Sequence, residues 1–255
     1  MKIIQVLTLL LLCLDFQSVN ANSTYVWGDT LHVWATSGLN MREGPGTDFP
    51  KMKKLEYGDK VQVIDNYLRS TPLDITVVKK NEKSDEFILK GFWVRVIIGS
   101  QEGYVFDGYL SRMPVLKFYS NNSSETNHKF NPEWYLGYFE REFGVIDTID
   151  NRDIYNVGST VFNFKKEINI QQITEKGAES IIKVPNITFN EGYLFFNVFS
   201  GFEDYLGNKE NFEFTTFNIK NDTNGITIFI TNGANRDVSI SIKNGIVIIS
   251  EFGYC

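Results

Sequence analysis

The 255-residue sequence predicts a mainly β protein, with a run of short strands followed by a mixed α+β unit that ends in an antiparallel meander. Three observations carry this. The chain is rich in Phe, Tyr, Ile and Asn, and aromatic and β-branched residues suit pleated, half-buried surfaces. Short alternating apolar segments recur between clusters of Gly, Pro, Asn and Asp. Only two stretches, Trp134–Phe143 and Tyr193–Phe199, space apolar residues by three and four as a helix does.

The chain opens with Lys2 and an apolar run from Ile3 to Leu14, too short to span a bilayer. Small or β-branched residues at Val19 and Ala21 complete a secretory leader, residues 1–21, cut after Ala21. A lipid anchor on Cys13 and an uncleaved signal anchor are the competing readings. The expected destination is extracytoplasmic, periplasmic or secreted.

Strands follow at Thr30–Trp34, Leu39–Arg42, Met52–Leu55, Lys60–Tyr67, Phe92–Ile98, Gly103–Phe106 and Tyr109–Leu110. Between Tyr67 and Phe92, Leu73–Val78 and Glu86–Lys90 read as an extended hairpin with a charged, solvated tip. Polar residues without periodicity mark a linker, 115–130. The second unit, 131–255, begins with a helix capped at Asn131-Pro132 and holds a second helix capped near Asn190-Glu191. Its tail reads as four strands broken at Asn221–Gly225, Asn232-Gly233 and Asn244-Gly245, which are hairpin turns. No internal repeat is evident between the two halves.

Ordered motifs run through the first unit: Gly38-Leu-Asn-Met-Arg-Glu-Gly-Pro45, Leu55-Glu-Tyr-Gly-Asp-Lys-Val61, Trp93-Val-Arg-Val96, Gly103-Tyr-Val105 and Tyr109-Leu110. Together they resemble the bacterial SH3-like domain family over residues 30–114. The departure is an insertion at 68–91, where such domains have a short turn. The resemblance implies a small barrel, with Leu39, Met41, Val61, Val63, Trp93 and Val105 pointing inward. Asn40 and Arg42 fall out of phase with those positions. They either pin the neighbouring loop or, for Arg42 with Tyr104 and Tyr109, form a ligand groove. The family implies targeting to peptidoglycan or another envelope partner, often beside a catalytic domain.

The residues argue against such a companion. The two cysteines are Cys13, in the leader, and Cys255, so the mature chain closes no internal disulfide and has no scaffolded thiol nucleophile. The two histidines, His32 and His128, lack partners at metal spacing, and no metal or other cofactor is implied. Net charge −6 without a basic run argues against nucleic acid, and no later segment is apolar enough to span a membrane. Glu140, Glu142, Asp147, Asp150 and Asp153 remain as carboxylates that a glycan-cleaving enzyme or a calcium site would use. The expectation is a non-catalytic binding protein. A carboxylate-dependent glycan-cleaving enzyme and an inhibitor or immunity partner of an exported enzyme are the alternatives.

Overall fold

The computed structural model describes residues 25–65, 71–80, 85–119, 131–132, 135–174, 177–200, 215–222, 225–232 and 236–253. The expected leader, both cysteines and His128 lie outside them.

Eight strands build the first unit: β1 (Thr30–Val33), β2 (Leu39–Arg42), β3 (Lys51–Leu55), β4 (Lys60–Asp65), β5 (Pro72–Val78), β6 (Phe87–Ile98), β7 (Gln101–Phe106) and β8 (Leu110–Ser111). They pair in the order β3-β2-β7-β6-β4-β1-β8, and β5 hangs from the first half of β6. Leu31, Val33, Met41, Val61, Val63, Val96 and Val105 are essentially without solvent contact and fill the barrel. Trp93 departs from the expected inward set. Val94 sits opposite Val105 and Trp93 opposite Phe106, so Trp93 lies on the outer face of β6, in phase with Arg95. It is buried all the same, because the insertion covers that face.

The insertion and the barrel strand are continuous. The arm expected at Glu86–Lys90 and the strand expected at Phe92–Ile98 form the single twelve-residue β6. Its partner changes near Phe92, whose N–H donates to the buried Asp107 carboxylate at 2.7 Å. Beyond the solvated-hairpin reading, Phe87 packs on the second unit, 4.7 Å from the Tyr193 ring and 6.4 Å from the Phe189 ring. The expected tip, 81–84, lies outside the described residues.

The stretch expected as a linker begins with packed chain. Leu116 is buried and accepts a bond from Tyr57 Oη at 3.2 Å. Strand β9 (Phe118–Tyr119) then pairs with β10 (Asn131–Pro132). Asn131-Pro132 is therefore strand, not the helix cap expected of it. Helix α1 (Tyr135–Phe143) starts later and stops at Gly144, whose φ of +68° ends the helical backbone.

The second sheet has eight antiparallel strands: β11 (Val145–Asp150), β12 (Gly158–Phe164), β13 (Asn169–Thr174), β14 (Ala178–Pro185), β15 (Thr215–Asp222), β16 (Gly225–Asn232), β17 (Arg236–Lys243) and β18 (Ile246–Gly253). Their order is β11-β12-β13-β14-β18-β17-β16-β15. Each half is a helix followed by a four-stranded meander, α1 before β11–β14 and α2 (Phe189–Ser200) before β15–β18. The last strands of the two halves pair antiparallel at the centre, Ala178 opposite Gly253 through Pro185 opposite Ile246. The unit is thus an internal structural repeat within the second half of the chain. The Asn244-Gly245 turn has φ of +53° and +75°, as a two-residue hairpin requires.

Helix α2 holds the two units together. Residues Glu191–Val198 are all buried, because one side meets the sheet and the other the barrel. Phe195 packs 5.4 Å from Phe139 of α1 and 6.1 Å from Trp34 of the barrel. One hydrophobic cluster consequently runs from Tyr25 to Ile249. The cap of α2 is Thr188, two residues before the expected one. Thr188 Oγ1 accepts the Glu191 N–H at 3.1 Å and Glu191 Oε2 accepts the Thr188 N–H at 2.8 Å, a reciprocal capping box. The other Glu191 oxygen accepts the Arg112 N–H at 2.7 Å and Ser111 Oγ–H at 3.1 Å, so a fully buried carboxylate ties the end of the barrel to the start of the helix.

Candidate functional site

The residues expected to form a groove sit at the mouth of the barrel. Arg42 ends β2 and lies directly across from Tyr104 of β7. Its Nη1 donates to Phe49 O at 2.5 Å, which pins the Glu43–Pro50 loop. Arg42 thus performs the loop-pinning role, and its guanidinium retains further N–H donors. Tyr109 closes a 3-10 turn (Asp107–Tyr109) and meets Phe106 edge-on at 5.7 Å.

A cavity of about 210 Å³ opens between the outer face of β2, β6 and β7 and the hairpin strand β5. Asn40 and Arg42 provide its polar wall, Trp93, Phe106 and Tyr109 its aromatic floor, and Leu73 and Ile75 its aliphatic side. Arg42 and Tyr109 are therefore brought together, whereas Tyr104 lies outside the lining. Leu73, Ile75 and Trp93 were not among the expected site residues. The signal for the first two was the alternation of Leu73 and Ile75 with Asp74 and Thr76 on β5, which marks a face needing cover. Lys51, Lys53 and Lys54 stand exposed on β3, the strand flanking β2. Among the described residues the lining holds no His, Cys, Asp or Glu. An amide, a guanidinium and aromatic side chains suit the binding of an extended polar chain, sugar or peptide.

A second cavity, of about 380 Å³, lies where the units meet, between Arg112, Met113, Phe143, Ile168 and Ile187. Arg112 there is held by Asp29 at 2.9 Å and lies 4.6 Å over the Tyr25 ring.

The five carboxylates weighed for catalysis or calcium do not converge on either cavity. Asp147 accepts from Asn163 Nδ2 at 2.6 Å. Asp150 takes both Nε and Nη2 of Arg152, at 2.8 and 2.6 Å, and these bonds hold its carboxyl well below the usual carboxylate range. Asp153 accepts the N–H groups of Tyr155 and Val157 at 2.8 and 2.9 Å, and Glu142 pairs with Arg141. These four have structural engagements, and Glu140 stands exposed on α1. Among the described residues no group of three His, Cys, Asp or Glu is placed to hold a metal ion. His32, on β1, has its Nδ1 buried without a partner, and burial followed by the Lys60 charge lowers its pKa.

Residues 37–111 match the family model of the bacterial SH3 domain. The first unit is a bacterial SH3 domain. The match spans β2 to β8, within the 30–114 range expected from the motifs, and includes the inserted hairpin. Bacterial SH3 domains are binding modules, often for the cell wall. No curated protein and no solved structure matches the chain. Among the described residues, no helix is long and apolar enough to cross a membrane.

Proposed function

We propose that the chain is an exported, non-catalytic binding protein whose SH3 domain docks on peptidoglycan or on a protein of the cell envelope. The observation that carries this reading is the cavity on the outer face of the matched SH3 domain, lined by Asn40, Arg42, Trp93 and Tyr109. A ligand strand lying there stacks on Tyr109 above a floor that Trp93 helps to form, and hydrogen-bonds Asn40 and the remaining donors of Arg42. The inserted hairpin supplies Leu73 and Ile75 as a wall, so this SH3 domain reads its ligand through a groove partly of the insertion's making. Tyr104, across from Arg42, extends the rim beyond the cavity.

The test is retention of the purified full chain by insoluble peptidoglycan and by immobilised envelope extract. Retention by one of the two, lost in Tyr109→Ala with the fold intact by circular dichroism, is expected. Retention by neither overturns the proposal. Clearing of cell-wall material in a zymogram, abolished by Glu140→Gln, overturns the non-catalytic part.

A further inference from the structure

We propose that the loop between β11 and β12, residues 151–157, is a preformed plug by which the second unit enters an apolar cleft, rimmed by cationic side chains, on a partner protein. At its tip Ile154 and Tyr155 are 89% and 78% exposed, more than any other large hydrophobic side chain among the described residues. Ile149 and Val157, at the loop's two ends, are exposed as well. Two large apolar side chains held out in water cost the chain solubility, and aromatic and aliphatic anchors of this kind dominate protein interfaces.

The loop is braced in this shape. Asn151 N–H reaches Ser159 O at 2.8 Å, Asp153 N–H reaches Val157 O at 2.8 Å, and Asn156 N–H returns to Asp153 O at 3.0 Å. Thr174 Oγ1 on β13 donates to Asn156 O at 2.6 Å, fastening the tip to the sheet. Arg152 is locked bidentate on Asp150. A braced loop loses little conformational entropy when it docks, so its tip converts to affinity efficiently.

Charge selects the kind of partner. Residues 131–255 carry 17 Asp and Glu against 10 Lys and Arg, whereas residues 22–130 carry 13 against 14. The acidic excess belongs to the unit that bears the loop, and Asp147 and Asp153 flank the exposed apolar groups, while Asp150 is balanced by Arg152. A cationic rim on the partner complements this. An anionic lipid surface repels it. Pairing of β11 with a second copy is disfavoured, because this edge strand carries Asp147, Asp150 and a bulge at Ile146, the devices that blunt strand edges. The inference is independent of the SH3 groove.

The experiment places a photo-reactive benzoylphenylalanine at position 155 of the full chain, with the same group at Lys220 on the far strand as control, in the cells that make it. The expected result is one protein adduct at 155 and none at 220. The captured protein is then purified; it is expected to be basic, to bind more weakly as salt rises, and to lose roughly 30-fold in affinity for Ile154→Asp, the scale of an interface hot spot. Ile154 is almost wholly exposed, so that variant keeps its fold. The proposal is overturned by the absence of a 155 adduct, by an adduct to lipid or to a second copy, by an acidic partner, or by equal affinity for the variant.

Discussion

Replacing Glu191 by alanine tests whether the two units are joined by chemistry or by packing alone. The carboxylate is fully buried and accepts from Arg112 N–H, Thr188 N–H and Ser111 Oγ–H. The Arg112 guanidinium, at 3.8 Å, also faces it. Removing it leaves two backbone donors and a hydroxyl without this acceptor, at about 1–3 kcal/mol for each donor that water does not reach. With partial hydration of the space vacated, we expect a loss of about 4 kcal/mol, in line with breaking a buried charge contact. For a chain of this size that corresponds to a fall in Tm of roughly 8–16 °C. Urea unfolding followed by far-UV circular dichroism supplies the magnitude. Tryptophan fluorescence, to which Trp34 at the interface contributes, reports whether the units separate before they unfold. A loss below about 1 kcal/mol with coincident transitions refutes the reasoning, since even one buried donor left unpaired costs about that much. Glu191→Gln retains one oxygen acceptor and loses the charge, so it falls between the wild type and Glu191→Ala.

His32 makes stability depend on pH. Its folded pKa is held below the ordinary 6.5 by burial and by Lys60, so the unfolded chain binds the proton first. This contribution to stability is complete above pH 6.5 and declines as pH falls from there towards the folded value. His32→Gln is expected to shrink the difference between urea midpoints measured at about pH 8 and about pH 5, and an unchanged difference rejects the assignment. Gly38 has φ of +84°, and a Cβ there would stand 2.8 Å from Leu55 O. Gly38→Ala is expected to cost roughly 1–3 kcal/mol, read as a lower urea midpoint at constant m-value, and a neutral result shows that the Gly38–Leu55 approach relaxes freely.

Much of the strand pattern was legible because alternation is a local property. Leu39, Met41, Val61 and Val63 take the inward positions that their period of two assigns. Trp93 did not follow, because Trp93 and Val94 are both apolar and local pattern does not say which one faces the barrel. The pairing of Val94 with Val105 decides it, across a strand that the insertion has lengthened. The cap of α2 was open to reading as Thr188-x-x-Glu191, yet the buried role of Glu191 was not, since its other partners lie about 80 residues earlier in the chain. Arg42 and Tyr109, expected together from the barrel motifs, both line the cavity, whereas Tyr104 does not. Leu73 and Ile75 escaped, because only the docking of the hairpin brings β5 over the outer face.

By itself the sequence determined the class of most segments: an SH3 domain marked by ordered motifs, two helices, and a terminal meander with Asn-Gly turns. These follow from turn residues and periodicity, which act over a few positions. The tertiary structure alone decided that an insertion becomes a bridge, that α2 is buried on both sides, and that the second unit is a doubled helix-and-meander repeat. Those outcomes depend on which apolar faces meet. A face records in its sequence that it needs cover, and the fold of the whole chain supplies the cover.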